Sequence, residues 1–490
     1  MADAAAQRSP GRVDLTQGNI GPTLLKFALP TLASSIVQSL NGTVNAIWVG
    51  RFLGENALAA TSNANIVMFL LISFVFGFGM AATILVGQAF GRKDVEQARR
   101  VVGTTTGSFL LITIVVATAG WFLCPAILHL LGTPAPAQPL ALAYLRVIFL
   151  AMPALLLLTM LMMTLRGAGD SLTPLWFMLV AVVLDSGLNP VFILGLGPAP
   201  KLGIAGSATA TLIANYIALF ALLAYIYLKD LPLRLRGREL AFLIPDPAII
   251  RTIIVKGLPM GIQMIVISLS GLALVGLVNS HGVDTAAAFG VAMQLWTYVQ
   301  MPAMALGAAV SAMTAQNIGA GMWHRVNAIT RSGIGYSVLI TAALVVLMTL
   351  ADRSVMALFM GGDSPALPIA RHIHVVATWN FILFGVTMVL FATVRANGAV
   401  WGPLIILCIG LVPVRFGFIF AADQRLGVDA IWWSFPVSSF ANLALSVAYY
   451  LEGGWKKARM TVGQPCPDDE QCTEEALATR EAGGALNPAG

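Results

Sequence analysis

A run of about 20 apolar residues is long enough to cross the hydrocarbon core of a bilayer as a helix, and this 490-residue sequence holds twelve such runs between residues 24 and 451. In lipid each backbone N–H and C=O must be satisfied within the segment, which selects helices for runs of this length. The expected fold class is all-α integral membrane, with twelve transmembrane helices. Composition agrees: 58% of the residues are hydrophobic and 10% charged, where a soluble domain carries charge near a quarter. The opening MADAAAQRSPGRVDLTQGN has acids and no apolar centre, so the first span, rather than a cleaved signal, is expected to target the chain.

Positive charge falls on alternate connections. One set holds Arg92, Lys93, Arg99, Arg100, Arg166, Arg234, Arg236, Arg238, Arg251, Arg325, Arg331, Arg395, Lys456, Lys457 and Arg459; the other holds only Arg51, Lys201, Arg353, Arg371 and Arg425. Loops rich in Lys and Arg stay inside. The tails 1–23 and 452–490 and the long basic linker 229–252 are therefore expected in the cytoplasm, with the spans in a cell membrane of the bacterial inner-membrane kind. The net charge of +6 is spread over loops without interleaved aromatics, so no nucleic acid is expected as a partner. Cys466 and Cys472 lie in the acidic tail stretch PCPDDEQC without nearby histidines, which reads as reduced cytosolic thiols rather than a metal site.

An internal repeat organises the spans. A shift of about 229 residues lays KFALP at Lys26 over KGLP at Lys256, GQAFG at Gly87 over AQNIG at Ala315, and RGAGDSLTP at Arg166 over RANGAVWGP at Arg395. Six spans per repeat return the chain to its starting side, so the halves share one topology and an axis along the membrane normal. Two pseudo-symmetric six-helix bundles follow, 24–228 and 253–451, with a cavity between them suited to alternating access.

Within the fifth span, VAVVLDSGLNPVFILG from Val180 places Asp185 in an otherwise apolar run. A carboxylate at mid-membrane costs roughly 2.5 to 3.5 kcal/mol on insertion scales, and such residues mark ion and substrate pathways. Desolvation penalises the charged form of a carboxyl group, which makes this position a seat for a coupling proton. Asn189 follows one turn later on the same face. Pro190 lacks the N–H that would bond the Ser186 carbonyl.

In the first span Ser34, Gln38, Asn41 and Asn45 share a face and serve either as packing glue between helices or as cavity lining. Tyr144 and Thr211 reach toward the same cavity. In the second half, Trp296 and Trp379 offer aromatic faces for flat or cationic ligands, and Arg415 lies inside the eleventh span.

No phosphate-binding loop, HExxH or GxSxG is present, and no cofactor or catalytic residue is expected. An enzyme would rest on His372 and His374, which have no acid at metal-ligand spacing. Uphill transport would then draw on an ion gradient.

The segments ALPTLASSIVQSL, VNAIWVGRFLG, VGQAFGRKD, LRGAGDSLTP, LNPVFILG and GIAGSATAT together resemble the multidrug and toxic compound extrusion (MATE) family of bacterial type, over nearly all of Leu24 to Leu451. The resemblance implies efflux of organic small molecules in exchange for protons or sodium. With it, the residues lead us to expect a monomer with Asp185, Asn189, Asn45 and Thr211 at the ion and Gln38, Asn41, Tyr144, Trp296 and Trp379 around the substrate. An alternative within the superfamily is export of a lipid-linked precursor or metabolite. The usual first-span acid of the family is replaced here by Asn45, and position 267, where one branch carries an acid, is Ile267. Asp185 must act without them.

Overall fold

A computed structural model describes residues 13–53, 55–130, 137–197, 200–360 and 364–460. The described residues form helices joined by short turns. The first bundle comprises α1 (Ile20–Leu53), α2 (Glu55–Gly91), α3 (Val95–Leu130), α4 (Gln138–Gly167), α5 (Leu172–Leu194) and α6 (Ile204–Leu228). A linker with a 3-10 turn at Gly237–Leu243 leads to α7 (Pro247–Asn279), α8 (Val283–Gly319), α9 (Trp323–Leu350) and the short α10 (Asp352–Met360). Then follow α11 (Leu367–Ala377), α12 (Asn380–Ala396), α13 (Trp401–Ile409), α14 (Arg415–Leu426), α15 (Asp429–Glu452) and a 3-10 turn at Gly454–Lys457.

The helices among the described residues group into twelve units of membrane-crossing length. Among the described residues nine helical stretches are individually long and apolar enough to span, and α11 with α12 makes a tenth span bent by 44°. Helix α8 has less need of apolar side chains because protein encloses it: all its residues from Ala305 to Gly319 except Ala308 are buried. Helix α15 carries a polar ridge of Ser434, Ser438, Ser439, Asn442 and Ser446, all buried against neighbours. In the eleventh unit, α13 and α14 join through a π-helical segment, Gly410–Val414, containing Pro413. Proline cannot make the regular backbone bond, and the wider turn absorbs it.

Side-chain caps fix several boundaries. Asp170 starts α5, its Oδ1 accepting the Thr173 N–H and its Oδ2 the Thr173 hydroxyl, at 2.9 and 2.6 Å. Asp246 accepts the Ala248 N–H, with Pro247 at the first helical position, where proline is well tolerated. Helix α7 therefore begins six residues before the apolar run suggests at residue 253. The cap and the proline set this start, ahead of the hydropathy.

The two bundles meet at the linker end. Ideal Cβ atoms on Gly91 and Gly319 would lie 2.0 Å from the Gln316 carbonyl oxygen and 2.1 Å from that of Gln88. Only glycine permits these reciprocal crossings of α2 and α8. Closer to mid-membrane, α2 crosses α7 at Gly77, whose added Cβ would sit 2.4 Å from the Gly257 carbonyl. The segment before α1 runs over this seam: the Val13 N–H bonds the Gly169 carbonyl of the first bundle, and the Leu15 carbonyl accepts from Asn317 of the second.

Candidate functional site: a caged carboxylate in the first bundle

Three helices converge on Asp185. From α1, Asn41 and Asn45 each donate an Nδ2–H to its Oδ2 at 2.9 Å. From α6, the Thr211 hydroxyl donates to Oδ1 at 2.9 Å. From α5 itself, Asn189 Nδ2 approaches the same oxygen at 3.3 Å and the Asp185 backbone carbonyl at 2.9 Å. Helical spacing explains the convergence. Asn41 and Asn45 are four residues apart, as are Asp185 and Asn189, so each pair sits on one face.

The cage is neutral apart from the acid. Asp185 is 2% exposed and Asn189 fully buried, and no Lys, Arg or His hydrogen-bonds the carboxylate among the described residues. An ionised carboxylate offers about four lone-pair sites; three donors at 2.9 Å take three of them, and Asn189 Nδ2, whose two hydrogens serve the Asp185 carbonyl and Asn45 Oδ1, stands 3.3 Å from Oδ1. Asn45 also accepts from Asn189 at 2.9 Å, and Asn41 accepts the Ser186 hydroxyl at 3.4 Å. The Asn189 Oδ1 is buried with no hydrogen-bond partner among the described residues.

All four expected ion-site residues, Asp185, Asn189, Asn45 and Thr211, are thus brought together. Asn41, expected at the substrate, joins them instead. Its spacing from Asn45 was the signal for this placement. Gln38, one turn earlier on α1, is exposed and outside the hydrogen-bonded set. Tyr144 of α4 is half-buried and outside the hydrogen-bonded set.

Trp296 and Trp379 lie in the second bundle. Trp296 is 4% exposed, its ring against Phe381 and Phe435 and its Nε1–H bonded to the Thr378 hydroxyl. Trp379 is 39% exposed. Arg415 stacks on Phe435, 4.6 Å from the ring centre, and donates twice to Ser438. His372 pairs with Asp429 at 2.9 Å. Among the described residues no group of three or more His, Cys, Asp or Glu could hold a metal ion; Cys466 and Cys472 lie outside those residues.

Comparison with known proteins matches this architecture. The sequence profile of the MatE family fits residues 30–191 and again 259–420, two blocks starting 229 residues apart. The probable multidrug resistance protein YoeA of Bacillus subtilis (strain 168) is 36% identical over 89% of this chain and 94% of its own length. YpnP of the same organism, also a probable multidrug resistance protein, is 29% identical over 91% and 98%. A crystal structure of MATE in complex with MaD3S superposes with a TM-score of 0.82 at 20% identity, covering 91% of this chain and 98% of that one. The profile match and the likeness to YoeA identify the chain as a member of the MATE family of multidrug efflux transporters.

Proposed function

We propose that this transporter exports organic small molecules, cationic or aromatic in character, by antiport with protons, and that Asp185 is the proton-binding group. The carrying observation is the donor-lined cage. A sodium ion would need several oxygen ligands, while the Asp185 oxygens already hold three N–H and O–H donors at 2.9 Å, with the Asn189 amide 3.3 Å from Oδ1. A proton needs only one lone pair, so it enters with less rearrangement.

Protonation has a mechanical consequence in this geometry. Both α1 amides donate to Oδ2. A proton on that oxygen takes one of its two acceptor sites and adds a donor, so one of the two amides then faces donor to donor. Either an amide flips, which costs Asn45 its bond from Asn189 or Asn41 its bond from Ser186, or α1 withdraws from α5. Proton uptake would thereby loosen α1, which also packs against α8 of the other bundle. This supplies the link between ion binding and the movement of the bundles. The basic loops support a cytoplasmic linker and tails, and the interior position of the cage is compatible with a monomer.

Transport of a fluorescent organic cation by proteoliposomes tests this reading. Export should follow an imposed pH gradient and not a sodium gradient. Asp185→Asn, which keeps the shape, should abolish the pH dependence; unchanged pH-driven export in that variant refutes the proposal.

A further inference from the structure

On a different face of α6 from Thr211, a crevice of about 540 Å³ opens between α3, α4 and α6. Its lining is almost wholly apolar. It follows α3 from Val102 to Ile114, and Leu233 and Leu235 of the linker close one end. Twelve residues of helix rise about 18 Å, close to half of the roughly 30 Å hydrocarbon thickness. The crevice is one leaflet deep. Its rim faces outward, with Leu110, Ile114 and Phe220 each more than two-fifths exposed, so lipid has lateral access.

The closed end is charged. Residues 229–239 carry Lys229, Arg234, Arg236 and Arg238 against Asp230 and Glu239. Asp230 serves both Arg234 and Arg236, while Glu239 is engaged by Arg99 at 2.6 Å. Asp230 is held below the usual carboxylate range, first by its hydrogen bond from Arg236. Arg234 sits between the two lining leucines and stacks on Tyr227, itself a lining residue. Its Nη1 bonds the Tyr227 carbonyl, but its Nε is buried without a partner among the described residues. Beside it, Leu240 and Ile244 are 49% and 73% exposed. Exposed apolar side chains among arginines suit the headgroup layer of a membrane.

We propose that this crevice binds one acyl chain of an anionic phospholipid from the leaflet on the linker side, with the lipid phosphate held by Arg234 and its neighbours on the linker. The chain matches the depth and apolarity of the crevice. The excess positive charge matches the phosphate. A zwitterionic lipid would fill the crevice equally well but would gain less from the unbalanced arginines.

The full-length protein in nanodiscs of equal phosphatidylglycerol and phosphatidylcholine, released and weighed by native mass spectrometry, tests the assignment. The wild type should retain one phosphatidylglycerol with a preference of about fivefold or more, the scale expected for a basic residue near an anionic surface. The triple change Arg234→Ala, Arg236→Ala, Arg238→Ala should remove the preference while leaving lipid bound. Thr106→Trp, which puts an indole into the crevice, should lose both lipids; Ile114→Trp at the exposed rim serves if that variant misfolds. Equal retention of the two lipids by the wild type, a preference that survives the triple change, or undiminished retention in the folded tryptophan variant overturns the proposal.

Discussion

Gln88 and Gln316 make the same hydrogen bond in opposite directions across the seam between the bundles. Gln88 Nε2 donates to the Ala396 carbonyl at the end of α12, and Gln316 Nε2 donates to the Gly167 carbonyl at the end of α4, both at 2.9 Å. The last carbonyls of a helix have no partner within it, so each bundle caps a helix of the other. Both amides are buried, and leaving the partner carbonyl unsatisfied costs about 1–3 kcal/mol. Gln88→Ala and Gln316→Ala should each shift the protein toward the state open at the linker end, to a similar extent. Spin labels at the exposed Lys93 and His324 would read this as a growing long-distance population.

The pairing was half visible in the sequence. The repeat set GQAFG over AQNIG and RGAG over RANG, which are the four segments that meet here, but an offset does not say which copy touches which. The reciprocal contact depends on how the bundles are docked, and no local pattern encodes docking. The twelve spans were legible because lipid imposes one rule on every segment. The Asp185 cage was largely legible for the same reason: polar side chains at four-residue spacing in an apolar run must find partners. The bond from Asn41 to Asp185 was not legible, since the face of Asn41 could be read but its depth could not. The linker arginines read as topology signals, and their position over a crevice emerged only from the packing of Leu233 and Leu235.

Asn45 should matter more than Asn41, although both donate to the same oxygen. Asn45 also accepts the Asn189 amide at 2.9 Å, whereas the second bond of Asn41, from Ser186, is long at 3.4 Å. Asn45→Ala therefore removes two bonds of 2.9 Å and Asn41→Ala one such bond and one long one. At about 0.5–1.5 kcal/mol for each lost hydrogen bond, Asn45→Ala should lower the unfolding midpoint in detergent more. It should also slow pH-driven export by roughly tenfold or more. Equal effects of the two substitutions would mean that the Asn45–Asn189 bond contributes nothing.

Asp352 gives the opposite end of the second bundle an acid-sensitive tie. Arg371 Nε donates to its Oδ2 at 2.7 Å, and this bond, followed in smaller part by the Arg353 backbone N–H, holds the carboxyl below its usual range. A carboxyl more acidic in the folded state stabilises the fold fully above its unfolded value of about 3.9, and the contribution fades as pH falls through the lower folded value. Arg371 is half exposed, so solvent screening limits the effect to about 0.2–1 kcal/mol. Melting curves from pH 7 to pH 3 should show the wild type losing slightly more stability than Asp352→Asn below pH 4, with the difference shrinking in high salt.

Leu15 tests whether the segment before α1 fastens the seam or merely lies over it. Its side chain is fully buried in a cluster with Leu24 and Phe27 of α1 and Leu306, Ala309 and Met313 of α8. Its carbonyl accepts from Asn317 at 2.9 Å, and the Gly18 carbonyl accepts from Arg325 at 3.2 Å. A buried Leu→Ala change costs about 2–5 kcal/mol where the surroundings cannot collapse. Here the leucine joins α1 to α8, so the cost should fall on the closed state in particular. Leu15→Ala should raise the long-distance population between labels at Lys93 and His324, as the glutamine variants do. Combined with Gln316→Ala it should act non-additively, because Leu15 packs on the stretch of α8 that carries Gln316 and close neighbours couple. A lowered melting temperature with an unchanged distance distribution would assign Leu15 to the core of the fold and not to the seam.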